Sequence, residues 1–129
     1  MAVQRMRSPL GRAVGLGSAK EGVEHWWRQR VTAIALVPLS LWFVVAIIGL
    51  VGADRDRFIA WVRHPLSAVL LILLLIATFY HAALGLEVVI EDYVHHEPAR
   101  LGLAVTVRLL SIALAVLGIF AVLKMALGA

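Results

Sequence analysis

The segment HAALGLEVVIEDYVHH, residues 81–96, opens on a histidine, closes on two more, and holds Glu87, Glu91, Asp92 and Tyr93 between them. The residues before it, PLSAVLLILLLIATFY, are almost purely apolar. A helix starting at Pro65 carries His81 about 24 Å along its axis, into the far half of a membrane span. An ionisable side chain there is costly and marks a functional site by default. A neutral imidazole is a good axial ligand for haem iron. The competing reading is a neutral histidine hydrogen-bonded to a neighbouring helix. The neighbours on its face favour the first. Gly85 and Ala77 lie one turn to either side, within about 40° of His81, and leave room for a flat macrocycle.

A second constellation lies where that span reaches water. Asp92, eleven residues on, returns to within about 20° of the His81 face. Tyr93 is its neighbour in sequence. A phenol beside a carboxylate, with the guanidinium of Arg30 near, can hold the carbonyl of a quinone and deliver protons as it is reduced. The plainer reading is a helix end meeting water, where acids and tyrosine are common. Arg30 also reads as the basic flank of the first span, and Arg108 as a residue that snorkels to the interface. Glu87, charged one turn before the span ends, has no assigned role. His95 and His96 read as a solvated loop. A second axial histidine for His81 is not available in this chain. The first and third spans contain none, His25 and His64 lie outside the spans, and His95 is about 21 Å away along the axis. Two-histidine ligation therefore requires another protein chain.

The elements that must position these residues can be read from composition. The chain has 129 residues, 62% hydrophobic and 16% charged, with a mean hydropathy of +0.93. Val31–Ala53, His64–Leu86 and Leu101–Leu123 are nearly free of charge, and each is 23 residues long. Roughly 20 helical residues cross a bilayer core of about 30 Å. The fold expected is an all-α membrane protein with three transmembrane helices, over about 31–53, 65–90 and 102–125. A membrane barrel would alternate polar and apolar residues, and these runs do not. Residues 1–22 read as a flexible basic tail and 23–129 as the three-helix domain. The tail has no apolar core of signal-peptide type. Pro38 is expected to kink the first helix, and Asp54–Arg57 to lie in a solvated loop. Gly49, Gly85 and Gly118 suggest close helix contacts and, in so thin a bundle, a partner chain in the membrane.

Charge sets the orientation. Arg5, Arg7, Arg12, Lys20, Arg28, Arg30, Arg100 and Arg108 fall on one side, against Arg55, Arg57, Arg63 and Lys124 on the other. The positive-inside rule places the N-terminus in the cytoplasm and the C-terminus in the periplasm. Trp26 and Trp27 fall at the interfacial belt. The net charge of +4 comes from these flanks and does not indicate nucleic acid. The absence of cysteine excludes disulfides and thiolate metal sites.

Two segments resemble a known family. RVTAIALVPLSLWF (30–43) resembles the Arg followed by Thr-Ala at the start of its first helix. HAALGLEVVIEDYVH (81–95) resembles its His…Gly…Asp-Tyr-Val segment, with the Asp-Tyr pair 11 and 12 residues after the histidine. The chain is thereby similar, from about Val23 onward, to the smaller of the two hydrophobic membrane anchors of succinate dehydrogenase, respiratory complex II. The resemblance implies a multi-pass protein of the bacterial inner membrane that carries no catalysis alone. It implies His81 as an axial ligand of haem b, Tyr93 hydrogen-bonded to ubiquinone, Asp92 supporting that site, and Arg30 near the quinone or a haem propionate. It implies a second membrane-anchor chain, of cytochrome b type, giving the other haem ligand. Electrons would arrive through an iron–sulfur subunit from a flavoprotein subunit. Glu87 and the N-terminal tail have no counterpart in that pattern. The alternatives are an anchor of a quinol:fumarate reductase, a purely structural haem-free anchor, and a transporter component. Transport would need polar residues aligned through several spans, and LLSIALAVLGIFAVL offers almost none.

Overall fold

A computed structural model describes residues 17–128, with side chains from residue 22 onward. The expected flexible tail lies outside the described residues as far as residue 16. From Gly17 the chain is helical. Among the described residues there are four helices in order: α1 (Gly17–Gly49), α2 (Arg55–Arg63), α3 (Pro65–Tyr93) and α4 (Glu97–Ala126). Among the described residues the fold is all-α, and α1, α3 and α4 are each long and apolar enough to cross a membrane.

At 33 residues α1 is about 50 Å long, well beyond a 30 Å hydrocarbon layer. Its first turns carry the charged and aromatic residues, and its apolar stretch begins at Val31. Two aromatic groups mark the boundaries. Trp26 and Trp27 meet edge to face at one end. At the other, Trp42 stacks on Trp61 of α2 with ring centroids 5.8 Å apart. Trp26 and Trp42 are separated by about 24 Å of helix, close to the thickness such belts bracket. The helix runs through Pro38 without a break.

The first helix ends earlier than the expected span. α1 stops at Gly49, and the turn after it uses Gly52 at φ +78°, a left-handed conformation open to glycine at little steric cost. The next residues depart from expectation as well. Asp54–Arg57 does not lie in a solvated loop but starts α2. The Asp54 side chain caps that helix by accepting from the Arg57 backbone N–H at 2.9 Å. Phe58 and Trp61 pack with tilted rings along it, and Val62, 1% exposed, is its buried anchor. Arg63 donates through Nε to the Met125 carbonyl at 3.4 Å, which ties α2 to the end of α4. His64 ends α2 and caps α3, its Nδ1 accepting from the Leu66 N–H. Pro65 then occupies a first-turn position, where its missing N–H costs nothing. A short connection, Val94–His96, returns the chain into α4.

α3 is the central helix. It packs on α1 along one side and on α4 along the other, and it holds most of the buried residues: Ser67, Ala77, Ala83, Leu84, Glu87 and Ile90. The glycines divide by role. A Cβ on Gly118 would lie 3.1 Å from both methyls of Leu75, so Gly118 sets the approach of α4 to α3. A Cβ on Gly49 would meet nothing within 4 Å, so the close contact expected there is absent among the described residues.

Candidate functional site

α1 and α3 run antiparallel and in register, Thr32 against His81 and Gln29 against Gly85. The Thr32 Oγ1 lies 2.9 Å from His81 Nδ1. Thr32 is 8% exposed and His81 is half-buried. Thr32 sits five to six residues beyond Trp26 and Trp27, which puts the pair roughly 8 Å inside the aromatic boundary.

Beside this pair a cleft of about 550 Å³ opens between the two helices. His25, Trp26, Gln29 and Arg30 of α1 line one wall, and His81, Gly85 and Val88 of α3 the other. A Cβ on Gly85 would meet only Gln29 Nε2, at 3.8 Å, an ordinary contact. α1 therefore does not require glycine at this position. The Gln29 Oε1 is buried in the same wall and has no partner among the described residues. Arg30 lies over the Trp26 ring at 5.3 Å from its centroid. The lining of the cleft thus carries a guanidinium, the imidazoles of His25 and His81, and the side-chain-free Gly85.

The candidate residues separate into two groups. His81, Gly85 and Arg30 share the cleft. Ala77 is buried inside the chain and is not part of its lining. Asp92 and Tyr93 occupy the last turn of α3 and are exposed, Tyr93 to 79%. Extending the Thr32–His81 register sets Tyr93 level with residues 20–21, roughly 14 Å along α1 from Arg30. Arg30 therefore shares the cleft with His81, while the Asp92–Tyr93 pair lies further along the bundle. His95 and His96 are exposed, in the connection before α4. Among the described residues no group of three or more His, Asp or Glu could hold a bare metal ion.

Three features were not anticipated. Thr32 and His81 are 49 residues apart, and nothing local links them. His25 shares the cleft although it precedes the apolar stretch. It lies two turns, about 10 Å, along α1 from the level of Thr32. Glu87 acquires a partner: Arg108 Nε donates to its Oε1 at 2.7 Å across the α3–α4 contact. Arg108 therefore pairs as well as reaching outward, its side chain remaining 70% exposed.

The sequence profile of the succinate dehydrogenase/fumarate reductase transmembrane subunits matches residues 4–123. The chain belongs to this family. A succinate dehydrogenase hydrophobic membrane anchor subunit of Rickettsia bellii is 39% identical over 106 residues, covering 82% of this chain and 85% of that one. Its counterpart in Rickettsia conorii is 34% identical over 111 residues, covering 85% and 88%. That of Paracoccus denitrificans is 29% identical over 125 residues, covering 97% and 96%. As a member of the transmembrane-subunit family, the chain displays its cleft and its Asp92–Tyr93 end on surfaces that its own helices leave open.

Proposed function

We propose that this chain is a hydrophobic membrane anchor of a succinate:quinone oxidoreductase. It holds one side of a haem b through His81 and contributes Tyr93 and Asp92 to the site where ubiquinone is reduced. The observation that carries the reading is the cleft itself. A histidine inside the aromatic boundary faces an open groove beside a glycine that its own chain does not need. The donor set suits haem: the His81 imidazole for the iron, and Arg30 and His25 in the same lining, suited to propionates. Bound there, the haem supplies a one-electron carrier. The second axial histidine comes from another anchor chain, because the first and third spans of this one contain none.

The residues of this chain then have distinct tasks. His81 ligates and orients. Arg30, held against Trp26, offers a fixed positive charge toward the propionates. Tyr93 donates a hydrogen bond to a quinone carbonyl, and Asp92 accepts and passes on protons at the boundary. Electrons from succinate reach this end of the bundle from a flavoprotein, through an iron–sulfur subunit that docks on it. The relatives named as succinate dehydrogenase anchors favour succinate oxidation over fumarate reduction. The charge count favours a cytoplasmic N-terminus in a bacterial inner membrane.

A purely structural anchor is the second reading. It is favoured by the Thr32 contact, which already gives His81 a partner inside the chain. A reduced-minus-oxidised visible spectrum of the detergent-purified complex separates the two. A b-type band that is lost or shifted in His81→Ala supports ligation. A wild-type complex without such a band leaves the structural anchor.

A further inference from the structure

We infer that Thr32 is the positioning residue that fixes the tautomer and ring plane of His81, leaving Nε2 as the nitrogen that binds iron. The inference rests on the haem reading above and adds a residue to it. It comes from counting donors. A threonine hydroxyl has one proton. Around Thr32 Oγ1 stand three groups: the Arg28 carbonyl at 2.8 Å, the Gln29 carbonyl at 3.0 Å and His81 Nδ1 at 2.9 Å. Carbonyl oxygens only accept. Two oxygens 2.8 Å apart with no proton between them repel, so the hydroxyl proton lies toward the helix carbonyls, the usual back-bond of a helical threonine. The contact to His81 must then be made by a proton on Nδ1. A neutral imidazole has one N–H, so Nε2 keeps its lone pair.

The surroundings make the arrangement firm. Thr32 is 8% exposed, so water does not replace His81 as the donor. The two residues sit on different helices, so the docking of α1 on α3 sets the ring. A ligating histidine whose other N–H is held in this way is oriented and made a stronger donor. Loss of such a support typically weakens metal binding by about 10–100-fold.

The test uses the intact complex with Thr32→Val, Thr32→Ala, Thr32→Ser and His81→Ala. Valine keeps the shape and removes the acceptor. Alanine removes the acceptor without added bulk and serves if valine impairs assembly. Two quantities are read: the haem midpoint potential, from a redox titration of the b-type band, and the rate of haem loss to apomyoglobin. Thr32→Ser is expected to match wild type. Thr32→Val and Thr32→Ala are expected to raise the potential, since a weaker imidazole donor stabilises the oxidised iron less. They should also bind haem about 10–100-fold more weakly. Wild-type potential and retention in both variants, with the band lost in His81→Ala, would overturn this inference alone. A wild-type band in His81→Ala would overturn the haem ligation and this inference together.

Discussion

A glycine inside a helix costs about 0.5–1 kcal/mol relative to alanine, and nothing among the described residues requires one at position 85. The nearest atom to an added methyl would be Gln29 Nε2 at 3.8 Å. Gly85→Ala is therefore expected to leave the stability of the chain unchanged or slightly improved. Gly85→Leu should displace whatever flat group fills the cleft. The check is haem content per flavin in the purified complex, expected near normal for alanine and sharply reduced for leucine. Equal haem content in both would mean that the group does not lie over Gly85. Tyr93 is tested differently because its phenol faces outward. Tyr93→Phe should lower quinone reduction about 100-fold, the lower end of the range for losing a proton donor, while the b-type spectrum stays unchanged. A spectrum that changed with it would merge two sites held apart here. At this scale the sequence was informative wherever residue type and depth coincided, as at His81. It was silent on Thr32 and His25, because their importance comes from a helix contact between segments remote in sequence.

At the scale of elements, the α3–α4 contact combines an ion pair and a tight glycine. Glu87 lies six residues before the end of α3, and Arg108 eleven after the start of α4. Each is roughly 9–16 Å from its helix end, where an unpaired charge is expensive. Glu87 is 8% exposed. Arg108→Met should therefore destabilise the complex, since it leaves a buried carboxylate alone. The double variant Glu87→Leu with Arg108→Met should recover much of the loss, as paired replacement of buried ions often does. Thermal unfolding of the four members of this cycle gives the coupling, expected at about 0.5–3 kcal/mol. At Gly118 the added methyl would lie 3.1 Å from both Leu75 methyls. Gly118→Ala should thus cost about 1–3 kcal/mol, and Leu75→Ala in the same chain should relieve it. The three spans were legible because each is a long charge-poor run that only a helix can carry through lipid. α2 was not legible, because Arg55, Asp56, Arg57 and Arg63 read as loop when counted by charge alone. Its helical character lies in the Asp54 cap and in the Trp61–Trp42 stack, and the latter exists only once α1 and α2 have met.

At the scale of the whole molecule, α3 is the most covered of the three spans and the two beside it are largely open. α3 lies between α1 and α4, and most apolar residues of the outer helices face away from the chain. Lipid can cover an apolar face, but it cannot satisfy the cleft, where Arg30, His25 and the unpartnered Gln29 Oε1 gather around His81. Polar groups at membrane depth need protein or a bound group against them. The sequence indicated a partner from the thinness of a three-helix bundle, but not which face it covers. On the proposed haem reading the partner covers the α1–α3 side, where the cleft opens. Expressed alone, the chain should insert, because each span is long enough to do so, yet carry no b-type haem at full occupancy, because only one axial ligand is present. Co-expression with the second anchor chain should restore the band. Cross-linking from cysteines placed at Ala33 or Val88, on the cleft walls, should then capture that chain. Cysteines at Ile112 or Val116, on the α4 side, should not. Capture from the α4 side alone would move the partner to the α3–α4 face beside the Glu87–Arg108 pair and leave the cleft unshared.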